Sequence, residues 1–308
     1  MTKSILSRLS SVACAVTLVA GCSGAQGGAP SAVPISDATA LRGDLVYVAA
    51  YNSVAIYTYP RGKRVGALTG FSNAVAVCTG TSGNVWVVDS KSHRFSELLK
   101  YAHGGSKPIA TLQLKGHGAD ACAVDPSTGN LAAGTLDSNV VVWIKGKGSP
   151  TLYSTRGFIK HVQTISYDGT GDLYMRSFKQ GNSAAWLPKG GSGVTRFSVT
   201  QVGAYGWDGQ HLVITGNEKN GIEHLPLYKL QGGNGKIAGH VLLGGCQSFY
   251  NITRHFSVAG TELAFTCGLD ETASLNYYKY PSGGNPIKSI YGVAGSVAIS
   301  VGSSRLGS

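Results

Sequence analysis

The 308-residue chain has 13% charged residues, against about 25% in ordinary globular domains, and its 44 glycines are about twice the usual share. That composition suits a turn-dense sheet protein. The formal charge of +11 includes no compact Lys/Arg run, which argues against a nucleic-acid binder and mildly favours acidic partners such as anionic lipid or polysaccharide.

At the N-terminus, Lys3 and Arg8 precede an apolar run from Leu9 to Ala20, the layout of a secretory signal. The run is too short to cross a bilayer as a helix, which takes about 20 apolar residues. It closes on Leu18-Val19-Ala20-Gly21-Cys22, which resembles the lipobox of bacterial lipoproteins. The resemblance implies that residues 1–21 are cleaved as a signal peptide and that Cys22 becomes a lipidated first residue. Several acyl chains then anchor the protein stably on its membrane. Ser23 is not the Asp that resembles an inner-membrane retention signal, so in a Gram-negative envelope the expected location is the outer membrane. Residues 22–40 are rich in Gly, Ala, Ser and Pro without apolar periodicity, and read as the lipidated Cys and a flexible linker. A domain over 41–302 and a tail over 303–308 complete the chain.

Within the domain an apolar or aromatic strand, a Gly-rich turn and a second apolar strand recur. Examples are Tyr57-Thr58-Tyr59-Pro60-Arg61-Gly62, Trp186-Leu187-Pro188-Lys189-Gly190-Gly191 and Tyr278-Lys279-Tyr280-Pro281-Ser282-Gly283. The leading glycines stand at 62, 104, 146, 190, 232 and 283, so the spacing runs from 42 to 51 residues. Between them lies a second hairpin, as in Val75-Ala76-Val77-Cys78 through Gly83-Asn84 to Val85-Trp86-Val87-Val88. Gly, Asn and Asp tolerate the positive φ that such turns demand. Each period therefore holds four short antiparallel strands, the dimension of a propeller blade. The first unit starts with its second strand, Leu45–Val48, and the chain ends on a spare inner strand, Ser296–Val301. The expected fold is an all-β, six-bladed β-propeller of four-stranded antiparallel blades, closed by the C-terminal strand joining the first blade. The repeats resemble those of NHL and YncE-like bacterial propellers, which implies the fold and leaves the ligand open.

The chemistry is sparse. Inner strands are read at Val75–Cys78, Ala121–Asp125, Thr164–Asp168, Ala204–Asp208, near Tyr250–Phe256, and at Val297–Val301. Asp125, Asp168 and Asp208 fall at the far turns, where Asp caps backbone. The carboxylate set by which gluconolactonase-like propellers hold a divalent cation is therefore not reproduced. His117, Asp120 and His161 precede inner strands of neighbouring blades and form the candidate ligand-binding rim, with no catalytic, metal or cofactor site assigned. Around the same face stand Tyr51, Asn73, Asp89, His93, Lys115, Asp137, Lys160, Glu218, Tyr250 and Asp270. Basic residues including Arg61, Lys63, Lys145, Lys147 and Lys189 mark the hairpins of the opposite face. Of the cysteines left in an oxidising compartment, Cys246 and Cys267 are the preferred disulfide, read at one end of one blade, while Cys78 and Cys122 stay open between bonded and free. The expected function is a monomeric, lipid-anchored binding or scaffold module for an envelope protein or glycan. The alternative is a hydrolase or lyase of gluconolactonase-like or cell-wall type.

Overall fold

The computed structural model describes residues 32–33, 43–177, 183–200, 203–216, 222–246, 255–268 and 272–302. Ala32–Val33 (β1), Leu45–Ala50 (β2), Ser53–Thr58 (β3) and Arg64–Thr69 (β4) begin the first sheet. Ala74–Thr79 (β5), Val85–Ser92 (β6), Phe95–Tyr101 (β7) and Pro108–Lys115 (β8) form the second, in that order. The third comprises Ala119–Val124 (β9), Leu131–Thr135 (β10), Asn139–Trp143 (β11) and Thr151–Ser154 (β12), and the fourth Thr164–Tyr167 (β13), Leu173–Arg176 (β14), Ala184–Leu187 (β15) and Thr195–Arg196 (β16). An eight-stranded sheet follows. Its first half is Tyr205–Trp207 (β17), Leu212–Ile214 (β18), Glu223–Gln231 (β19) and Asn234–Leu243 (β20). Its second half is Phe256–Ala259 (β21), Glu262–Cys267 (β22), Ser274–Lys279 (β23) and Gly283–Tyr291 (β24), joined to the first by one parallel step between Leu243 and Gly284. The last strand, Ser296–Ser300 (β25), returns to the first sheet, whose order is β1-β4-β3-β2-β25.

The hairpins follow from their glycines. All six leading positions, Gly62, Gly104, Gly146, Gly190, Gly232 and Gly283, lie at φ between 55° and 71°, a region a side chain makes costly. Within strands, alternate residues face opposite sides, and each side packs on a different neighbouring sheet. Tyr47 faces a cluster with Val85, Val87 and Leu99 of the second sheet, whereas Val46 and Val48 face one with Leu275 and Tyr277. Clusters around Trp86 and Trp143, around Val140 and Met175, around Tyr174 and Leu212, and around Leu225 and Phe265 fill the other gaps between sheets.

The innermost strands touch in cyclic order, β5 to β9, β13, β17, β21, β25 and back to β5, so they enclose a channel. Their unpaired inner backbone edges are stitched by hydroxyls from the neighbouring innermost strand. Ser296 Oγ accepts from Val77 N at 3.1 Å, Thr164 Oγ1 from Tyr205 N at 2.9 Å, and Ser257 Oγ from Ile299 N at 3.0 Å. A buried donor without such an acceptor would cost about 1–3 kcal/mol. Residues read as tether also contribute. Ala32 and Val33 pair with Leu68 and Ala67, covering the otherwise open outer edge of β4.

Candidate functional site

At the mouth where the innermost strands begin, Asp120 in β9 and His161 in the connection into β13 meet across adjacent sheets. His161 Nε2 stands 2.9 Å from Asp120 Oδ2. His117 does not join them, because its Nδ1 is 2.6 Å from Asp137 Oδ2 in the β10–β11 turn. Burial opposes ionisation of Asp137, but hydrogen bonds from Thr135, His117 and Asn139 together outweigh it and hold the carboxyl below its usual range. Among the described residues no group of three or more His, Cys, Asp or Glu side chains is placed to hold a metal.

The structure adds His255, immediately before β21. Burial is the stronger influence on its imidazole and lowers its pKa, while the nearby Asp120 carboxylate pulls the other way. The sequence pattern placed the inner strand loosely near Tyr250–Phe256, and with the strand at Phe256–Ala259 the residue that enters it is His255. Asp120, Gln163, His255 and Ser296 border a cavity of about 80 Å³. Small-molecule pockets usually begin at about 300 Å³. This mouth therefore offers a surface rather than a shaft.

Other rim residues have structural employment. Asp89 accepts from Ser72 N at 2.9 Å and Asn73 N at 2.8 Å, and Lys91 lies 2.7 Å from it. Tyr51 does not. Its φ is +54° and it is 84% exposed, while its carbonyl accepts from Ala74 N at the start of β5. A bulky residue in the left-handed region, held out into solvent, is unfavourable both locally and by exposure. Tyr291, at the end of β24 where the chain turns into β25, is 80% exposed. Glu218, Tyr250 and Asp270 lie outside the described residues.

On the opposite side the three turn aspartates accept from their own turns and, in the case of Asp208, also from Tyr280 of a neighbouring blade's hairpin. Asp125 accepts from Ser127 N at 2.8 Å, Asp168 from Thr170 N and Gly171 N at 2.9 Å each, and Asp208 from Gln210 N at 2.7 Å and the Tyr280 hydroxyl at 2.5 Å. The cysteines form two bonds. Cys246 pairs with Cys267, Cα atoms 5.5 Å apart, but Cys246 follows the outer strand β20 rather than opening an inner one. The long connection before β21 separates it from that strand. Cys78 and Cys122 also pair, Cα atoms 5.8 Å apart, and link the innermost strands β5 and β9 of neighbouring sheets.

Four-stranded antiparallel sheets arranged around a channel define an all-β protein with a β-propeller fold. No family model matches the chain, and no curated protein matches it. Solved structures do. A protein of unknown function from Bacteroides caccae aligns with a TM-score of 0.58 at 15% identity, covering 83% of this chain and 98% of its own. A chain of a nidogen/laminin complex aligns at 0.61 and 11% identity, covering 84% and 99%, and the WD40 repeats of RRP9 at 0.54 and 11%, covering 82% and 81%. At these identities the likeness is one of fold.

Proposed function

We propose that the chain is a lipid-anchored, extracytoplasmic six-bladed propeller that binds an envelope protein or glycan through the mouth bearing Asp120, His161 and Tyr51. The count of six takes the eight-stranded sheet as two blades joined at Leu243 and Gly284. The observation that carries the reading is the mouth itself. Its cavity of about 80 Å³ is too small for a small-molecule pocket, yet Asp120 at its lining pairs with His161, and at the same end, where β5 begins, Tyr51 is held 84% exposed. Such a surface recognises a partner larger than the opening. Entry of the tether on the other side supports this orientation, since the Gly43 carbonyl accepts from His103 Nε2 in the basic-hairpin face at 3.0 Å. Lysines there would each gain about 1 kcal/mol near anionic headgroups.

The approach of His255 to the Asp120–His161 pair favours a second reading, a hydrolase or lyase, because an imidazole paired with a carboxylate is a general-base arrangement. Capture from detergent-solubilised envelope with the full-length lipidated chain separates the two. The binding reading predicts a protein or glycan retained by the native chain, recovered chemically unchanged and lost from the Asp120→Ala/His161→Ala variant. Equal retention by that variant, or a partner recovered cleaved, would contradict it.

A further inference from the structure

The opposite mouth of the channel is built from different chemistry. There the innermost strands end around a cavity of about 310 Å³, walled by Tyr167, Trp207, Phe256, Val124, Ile299 and Val301. One glycine makes room for a ring: a Cβ at Gly206 would lie only 2.6 Å from the Phe256 ring. Trp207, Val124 and Val301 remain partly exposed to this space although they are apolar.

Three hydroxyls of the wall are engaged with backbone groups. Thr79 Oγ1 donates to the Ile299 carbonyl at 2.9 Å, Ser166 Oγ to the Tyr167 carbonyl at 3.2 Å, and Ser257 Oγ accepts from Ile299 N. Asp125 and Asp168, beside the lip, accept hydrogen bonds from their own turns. A sugar would find few directional partners in these groups. A flat ring would find the partly exposed Trp207 side chain and a volume at the lower end of the ligand-pocket range.

We propose that this cup is a binding site for one small aromatic molecule, stacked against Trp207 and enclosed by Tyr167 and Phe256. It lies at the other end of the channel from the Asp120–His161 mouth and does not depend on the function proposed for that mouth.

The test is calorimetric titration of the full chain with 2-naphthol and with its fully saturated bicyclic counterpart, which has the same hydroxyl but no flat ring. Saturable one-site binding of 2-naphthol is expected, with the saturated alcohol about tenfold weaker or worse. Trp207→Ala should weaken 2-naphthol by about tenfold or more. Val301→Trp, at the partly exposed lip, should fill the cup and abolish binding while melting like the native chain, which covers the case in which Trp207→Ala does not fold. Absence of saturable binding, equal affinity for the saturated alcohol, or affinity unchanged in Val301→Trp would each overturn the proposal. So would binding that appears only after residues 303–308 are removed, since the chain's own end would then be the occupant.

Discussion

Val46 lies directly across from Ile299 in an antiparallel register that runs from Leu45–Ser300 to Ala49–Ser296, so the last strand supplies the innermost position of the first sheet. Val297 and Ile299 are buried there, and Gly302 N donates to Asp44 Oδ1 at 2.7 Å. Ending the chain at Gly295 removes two buried branched side chains at about 1.5–3 kcal/mol each. The expected loss is about 3–6 kcal/mol, a large part of a usual total of about 5–15 kcal/mol. Urea titration of the truncated and full chains reads it directly, and coincident midpoints would contradict the closure.

The bond between Cys78 and Cys122 clasps two innermost strands across a sequence separation of 44 residues. Closing a loop of that size in the unfolded chain should contribute about 2–4 kcal/mol. The Cys78→Ser/Cys122→Ser variant should therefore unfold at lower denaturant, with a slope as steep or steeper because its unfolded chain is less constrained. Peptide mapping of the oxidised protein should recover Cys78 joined to Cys122 and Cys246 to Cys267.

Acid should destabilise the fold in a histidine window. His103 bridges Ser300 Oγ at 2.6 Å and the Gly43 carbonyl at 3.0 Å, and burial lowers its pKa despite the opposing hydrogen bond to Gly43 and the charge of Asp44. His255 is lowered as well, again mainly by burial. Both groups bind protons more readily in the unfolded chain. Their contribution is full above the ordinary histidine value of 6.5 and is lost as pH falls through the lowered folded values. Melting temperature should drop between about pH 7.5 and about pH 5, and His103→Gln should melt lower at the upper pH but lose less on acidification. A variant with an unchanged pH slope would remove His103 from the account.

Anchoring through Cys22 predicts that Cys22→Ser leaves an unacylated precursor that no longer partitions with membranes. Intact mass and fractionation check it, and unchanged retention with unchanged mass would contradict the lipid anchor.

Much of the architecture was legible because each hairpin turn needs a residue that tolerates positive φ, and the leading glycines announce that need at a regular spacing. The spare Ser296–Val301 strand could be matched to Leu45–Val48 by counting strands. What the period could not supply was the contact between neighbouring units. Cys78 and Cys122 stand about one period apart on neighbouring inner strands but one residue out of register, so that both face the gap between their two sheets, and nothing within either repeat announces that they meet. The stretch from Gly244 to His255 lengthens the last period, which displaced both the expected place of Cys246 and the start of β21, and so concealed His255. His117 shared a connection type with Asp120 and His161, but spacing does not say which way a side chain turns, and Asp137 in its own sheet holds it.

The partner is expected to engage the mouth of Asp120, His161 and Tyr51 and not the basic-hairpin face. A photo-activatable phenylalanine analogue placed at Tyr51 or Tyr291, and as a control at Lys147, would test this in living cells with the otherwise native lipidated chain. Irradiation should give one discrete higher-mass adduct from the two tyrosine positions and none from Lys147. Adducts from Lys147 with none from Tyr51 or Tyr291 would place the partner on the other face and contradict the account.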